Sequence, residues 1–244
     1  MKDMAREERV LEIVVEAIDT LTEDFDLIDF LHRVSVRCVE LLDVAAVGVV
    51  IADEHGQLQP IAASDEHTRL LELFALQHDQ GPCVESYRGG VARLDVDLTS
   101  SRETAGFVPF ARRARQAGYV TTHALPMRLR ERSIGAMNLF HTRAGTLTPA
   151  DARVAQALAD VATIAILQQR TLAQSNLERA QLQAALTSRI AIEQAKGVLS
   201  ERRQTSLDEA FAVLRTYARA NRVRLADVAR QLLDGDLDPE LLPR

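Results

Sequence analysis

At 244 residues with 47% hydrophobic side chains and a net charge of −6, the chain is long enough for two modest domains. It has no apolar run near the roughly 18 to 20 residues a membrane helix requires. The charged start, Met1 to Arg9, lacks an apolar signal stretch, and Cys38 and Cys83 show neither CxxC spacing nor a zinc-type histidine pattern, so a reduced cytoplasmic setting without a metal is expected. The charge is uneven: residues 1–174 carry 18 basic against 25 acidic side chains (−7), 175–233 carry 10 against 6 (+4), and 234–244 carry 1 against 4 (−3), an acidic body with a basic segment of the kind a polyanion partner needs, although solvated charged helices often carry as much.

Val10, Ile13, Val14, Ala17 and Leu21 recur at helical spacing and predict a one-sided helix within 1–23. Asp26 reads as the N-cap of a second helix with Leu27, Phe30, Leu31, Val34, Cys38 and Leu41 on its apolar face, which makes Cys38 a small core residue. Runs 44–52 and 58–63 are β-rich and separated by Asp53-Glu54-His55-Gly56, a hairpin signal. Leu70, Leu71, Leu73, Phe74 and Leu76 predict a short helix ended near Gly81 and Pro82. A strand over 91–98, a helix over 107–117 and two strands over 119–127 and 133–140, joined by the charged turn 128–132, complete an α+β sandwich over 24–170 whose neighbouring strands pair antiparallel.

Thr148 and Pro149 start a helical pattern without Gly or Pro until Gly197. Val154, Leu158, Val161 and Ala165 have the 3.5-residue spacing of a coiled-coil seam, and a short parallel coiled coil that makes a homodimer is the favoured expectation, with packing onto the chain's own α+β domain as the alternative. Residues 171–235 then predict three helices, with 236–244 as a tail. Ser206-Leu207-Asp208-Glu209 is a capping box, and two stripes, Leu207, Ala210, Phe211, Leu214, Ala218 and Leu225, Val228, Ala229, Leu232, are expected to pack against Leu182, Leu186, Ile190 and Leu199. Beside them, Arg189 and Lys196 share one helical face, and Arg215, Arg219 and Arg222 share another. Ala195 and Gly197 leave little bulk next to Lys196, which would admit a nucleotide backbone; the alternative is a tight helix contact at Gly197, with the arginines paired to Glu193, Asp208 or solvent.

The run Leu186 to Leu199 (LTSRIAIEQAKGVL), with Ser206 to Arg215 (SLDEAFAVLR) and Leu225 to Ala229 (LADVA), resembles the ANTAR domain over about Ser175 to Leu233. That resemblance implies a three-helix, usually dimeric output domain that binds RNA stem-loops in leader transcripts and favours antitermination. Arg189, Gln194, Lys196, Gly197, Arg215 and Arg219 are the expected RNA-binding residues, with Phe211 and the other apolar positions as scaffold. Basic side chains would neutralise loop phosphates while Gln194 or Arg215 reads exposed base edges.

The segments Gln80 to Glu85 (QGPCVE), Gly118 to Met127 (GYVTTHALPM) and Ser133 to Phe140 (SIGAMNLF) resemble GAF domains over about Asp24 to Gln169. That implies a GAF-type antiparallel sheet with flanking helices, often with a pocket for a small-molecule ligand. One departure is visible: Val108 stands where an aromatic is expected before Pro109. No cofactor is assigned. A Cys83/His78 nucleophile lacks an orienting third group, so the chain is read as a non-enzyme; a GAF-type redox enzyme would need Cys83 as a reactive, low-pKa thiol. His123 is a packed strand residue or, alternatively, a haem ligand. For the last three helices, DNA and protein partners are the alternatives to RNA. The helix after Leu225 offers chiefly Asp227, Arg230 and Gln231, which suits RNA better than a DNA recognition helix. Signal is expected to pass along the helix that begins at Pro149, without a phosphoacceptor domain.

Overall fold

The computed structural model describes residues 2–18, 25–145 and 147–242, which divide into two compact units, 1–172 and 173–244. Leu21 of the first helical stripe, and the junction at residues 23 and 24, lie outside the described residues.

In the first unit, five antiparallel strands, β1 (Ala46–Ala52), β2 (Leu58–Ala63), β3 (Arg93–Asp97), β4 (Thr121–Leu129) and β5 (Arg132–His141), form one sheet in the order β2-β1-β5-β4-β3. Strand alternation sends Val47 and Val49 to one face and Ala46 and Val50 to the other. The first face is covered by α1 (Lys2–Ile18), α2 (Leu27–Leu42) and the start of α6 (Pro149–Arg203); the second by α3 (Glu66–Gln77), α4 (Pro82–Gly89) and α5 (Val108–Gln116). The expected α+β sandwich is therefore present with both sheet faces buried.

Local chemistry fixes the helix starts. Asp26 accepts hydrogen bonds from the Ile28 and Asp29 amides (2.9 and 3.0 Å), and the Thr148 hydroxyl accepts from the Asp151 amide (3.1 Å) with Pro149 at the first helical position. The stop expected at Gly81 and Pro82 is half right. The preceding helix ends at Gln77, but Pro82 opens α4, because a proline has no amide to lose in a first turn and Gly81 takes a φ of 135°. Cys83 is thus helical.

Helix α6 runs unbroken for 55 residues through Gly197. The expected seam is corrected here. Leu158 and Ala165 are fully buried in the unit's own core with Ala155, Ala159, Ala162 and Ile166, and Val154 and Val161 pack against it. A 3.5-residue spacing fits a sheet-covering helix as well as a coiled coil over two turns, and the apolar sheet face is the nearer partner.

The second unit packs the end of α6 with α7 (Leu207–Ala220) and α8 (Leu225–Asp234). The capping box is present: the Glu209 amide donates to the Ser206 hydroxyl (3.2 Å), and the Ser206 amide donates to the Glu209 carboxylate (2.9 Å). The inner face of α6 is Ala191, Ala195 and Leu199; Leu182, Leu186 and Ile190, expected inside, are 72%, 54% and 50% exposed. Alanines let the helices approach closely, so only Leu199 of the four expected residues is needed. Residues after Gly235 do not trail away: Leu237 and Leu242 are buried in this core, and the Arg203 guanidinium donates to the carbonyls of Pro239 and Leu242.

Candidate nucleic-acid interface and sensory core

The polar face of the second unit is built from α6 and α7. Lys196 extends over the Phe211 ring, 5.5 Å from its centroid, and the Arg215 guanidinium lies 5.9 Å from the same centroid, distances at the outer limit of cation–π attraction. Phe211 is only half-buried and stands outside the apolar cluster, because its place on α7 is one helical turn from exposed Arg215 rather than on the Ala210, Leu214 and Ala218 face. This corrects its assignment to the core.

Lys196 is also the one member of the expected set that holds a carboxylate: its ammonium donates to Glu193 at 2.9 and 3.1 Å, and its side chain is 15% exposed against 57% for Glu193. Arg189, Arg215 and Arg219 are exposed and form no ion pair with a described residue. Gln194 is exposed but two residues from Lys196, so the two do not share a face. Gly197 is exposed, and a methyl added there would meet nothing within 4 Å, which removes the tight-contact explanation for it. Ala195, expected beside it on the surface, is fully buried in the core. The structure brings Lys196 and Arg215 together through Phe211; Arg189, Gln194 and Arg219 are placed around them without a mutual contact.

The first unit holds a buried polar cluster that the sequence did not disclose. Glu72 of α3 is fully buried and accepts a 2.6 Å hydrogen bond from the Asn138 amide, with the buried Cys83 thiol beside it. Gly48 and Asn138 face each other in the β1–β5 ladder, and a methyl at Gly48 would lie 2.8 Å from the Glu72 carboxyl oxygen, so a side chain there would displace the carboxyl from the sheet. Burial, opposed by the Asn138 and Cys83 hydrogen bonds, raises the Glu72 carboxyl to about 7. Burial, then the Glu72 charge, pushes the Cys83 thiol well above its ordinary value.

A family model described as the GAF domain matches residues 24–167, more than half of the chain. The chain belongs to the GAF domain family. A second model, the ANTAR domain, matches residues 180–233. GAF domains sense signals and ANTAR domains are RNA-binding antitermination modules, so the architecture is that of a regulator. The fold is similar to that of the free methionine-R-sulfoxide reductase from Neisseria meningitidis, solved with its substrate (13% identity, 70% of this chain and 94% of that one, TM-score 0.53). It is also similar to the phycoerythrobilin-bound GAF domain of a cyanobacterial phytochrome (17% identity, 68% and 96%, TM-score 0.52). At these identities the likeness is one of fold. No curated protein matches the chain. No described helix is long and apolar enough to cross a membrane.

Within the GAF domain, the alternatives that needed a reactive centre lose their geometry. Cys83 is fully buried with its thiol pKa raised, the reverse of an activated nucleophile. His78 is engaged through Nδ1 with the Phe74 carbonyl (2.9 Å). His123 Nδ1 accepts the Asp95 amide (2.9 Å), and since that backbone donor is fixed, the neutral ring carries its proton on Nε2 and has no lone pair there for iron. Burial, then the charge of His141, lowers the pKa of His123 to about 4.

Proposed function

We propose that this GAF–ANTAR chain is a signal-responsive, cytoplasmic RNA-binding regulator that promotes transcription antitermination by binding stem-loops in nascent leader transcripts. The observation that carries the reading is the meeting of Lys196 and Arg215 at a half-exposed aromatic ring, inside a segment matched by the ANTAR domain. Arg189, Gln194, Gly197 and Arg219 extend the RNA-contacting surface around that centre, cations toward phosphates and Gln194 toward base edges.

Duplex DNA is the poorer partner. A recognition helix needs free polar side chains, and on α8 Arg230 is bound to Asp227 at 2.9 Å. Because α6 contributes to the core of each unit, through Leu158 and Ile166 in one and Ala195 and Leu199 in the other, a signal in the GAF domain, such as a small-molecule ligand, can bias RNA binding along one continuous helix. The exposed stripe Leu182, Leu186 and Ile190 is the surface assigned to the homodimer. Gel shifts comparing a tandem stem-loop RNA with duplex DNA of matched length test the reading. Retardation of the RNA alone supports it; retardation of DNA at equal or lower protein concentration overturns it.

A further inference from the structure

The ammonium of Lys196 is already neutralised before any RNA arrives. Glu193, one turn earlier on α6, holds it through both carboxylate oxygens, while the Phe211 ring leaves little of the lysine exposed. Arg215, on the other side of that ring, is exposed with no carboxylate among the described residues. Of the two carboxylates on α7, Glu209 closes the capping box with Ser206, and Asp208 is exposed and forms no ion pair with a described residue.

We propose that Glu193 is an internal stand-in for an RNA phosphate, a competing anion that a bound loop must displace from Lys196, and which therefore sets the affinity threshold of the interface. The proposal rests on the RNA-binding reading above. A phosphate reaching Lys196 breaks the Glu193 pair, and the released carboxylate, 57% exposed, takes up a cation from solution. That uptake cancels one counterion release, so the parent chain has a shallower salt dependence than the number of phosphates it touches implies. The pair is close to the surface and of i, i+3 type, so the threshold is modest, about two- to fivefold in affinity.

The test uses the full chain, a labelled synthetic tandem stem-loop RNA and salt titrations. Glu193→Gln should tighten binding about two- to fivefold at roughly 0.1 M salt and steepen the log–log salt slope by up to about 0.7. Asp208→Asn, which removes the same charge without freeing Lys196, should do less. In Glu193→Gln/Lys196→Ala the gain should vanish, leaving the affinity of Lys196→Ala alone. An unchanged affinity and slope in Glu193→Gln, or the same gain with and without Lys196, overturns the proposal while leaving RNA binding in place. A parent chain that binds neither this RNA nor its single hairpins overturns the underlying reading, and the proposal with it. Helix dichroism of each variant verifies that the fold is kept.

Discussion

Glu72→Gln offers a sharp perturbation of the sensory domain. The carboxyl has an ordinary value of 4.5 and is raised to about 7 in the fold, with burial as the leading cause. Below the ordinary value both folded and unfolded states are protonated and the carboxyl imposes no penalty. As pH rises from there through about 7, the unfolded chain ionises first and stability declines; above that the loss is complete. The difference corresponds to about 3 kcal/mol, a large share of a domain's net stability. Glutamine keeps the shape and can still accept the Asn138 hydrogen bond, but does not ionise. Its amide nitrogen replaces an oxygen that has no hydrogen-bond partner, so part of the burial cost remains at every pH. The diagnostic quantity is thus the pH slope: urea unfolding of the full chain, read by hydrogen exchange on β1 and β5 peptides between pH 5 and 8, should show the parent losing stability that Glu72→Gln retains. Parallel slopes in the two proteins would refute the assignment of a buried, proton-bearing Glu72.

A buried histidine acts with the opposite sign. His123, lowered to about 4 chiefly by burial, contributes stability that is present above the ordinary 6.5 and lost as pH falls through the folded value, so His123→Asn should flatten the acid limb of the same stability profile. Gly197→Ala has open space around it, so it should stabilise the ANTAR helix by about 1 kcal/mol while weakening RNA binding; thermal melts and gel shifts together check this, and a stabilised variant with parental affinity would remove Gly197 from the interface. Truncation after Gly235 removes buried Leu237 and Leu242 and the Arg203 hydrogen bonds, and each leucine is worth about 1.5–3 kcal/mol; a lowered melting temperature of the C-terminal unit is expected, and an unchanged one would show that the segment only rests on the core.

What the sequence disclosed follows from how local each signal is. The caps at Asp26 and Ser206 and the β-rich apolar runs of β1 and β5 are decided within a few residues, and the structure has them. Direction of facing is not local. Leu158 and Leu186 both recur at helical spacing, yet one is fully buried and the other is 54% exposed, because what lies opposite is set by the sheet in one unit and by a seam of alanines in the other. Hydrophobicity alone assigns Phe211 to the core, but its helical position places it with Arg215 and Lys196. Glu72 gives no signal at all: an isolated glutamate in a helix looks the same whether it meets water or, as here, a glycine–asparagine pair across the adjacent strands β1 and β5. At the interface the sequence names Lys196 and Arg215, while the carboxylate that restrains Lys196 becomes visible only as a distance.

The proposed contact of unpaired RNA with the ANTAR unit is through the cations gathered at Phe211. Its most direct test is fluorescence titration of the full chain and of Lys196→Ala/Arg215→Ala with a tandem stem-loop RNA across a salt series. Tight, salt-sensitive binding is expected of the parent, and in the variant a weaker affinity with a slope flatter by roughly 0.7, the share of Arg215, because cation uptake at Glu193 offsets the share of Lys196. Equal affinity and equal slope in the two proteins would contradict it.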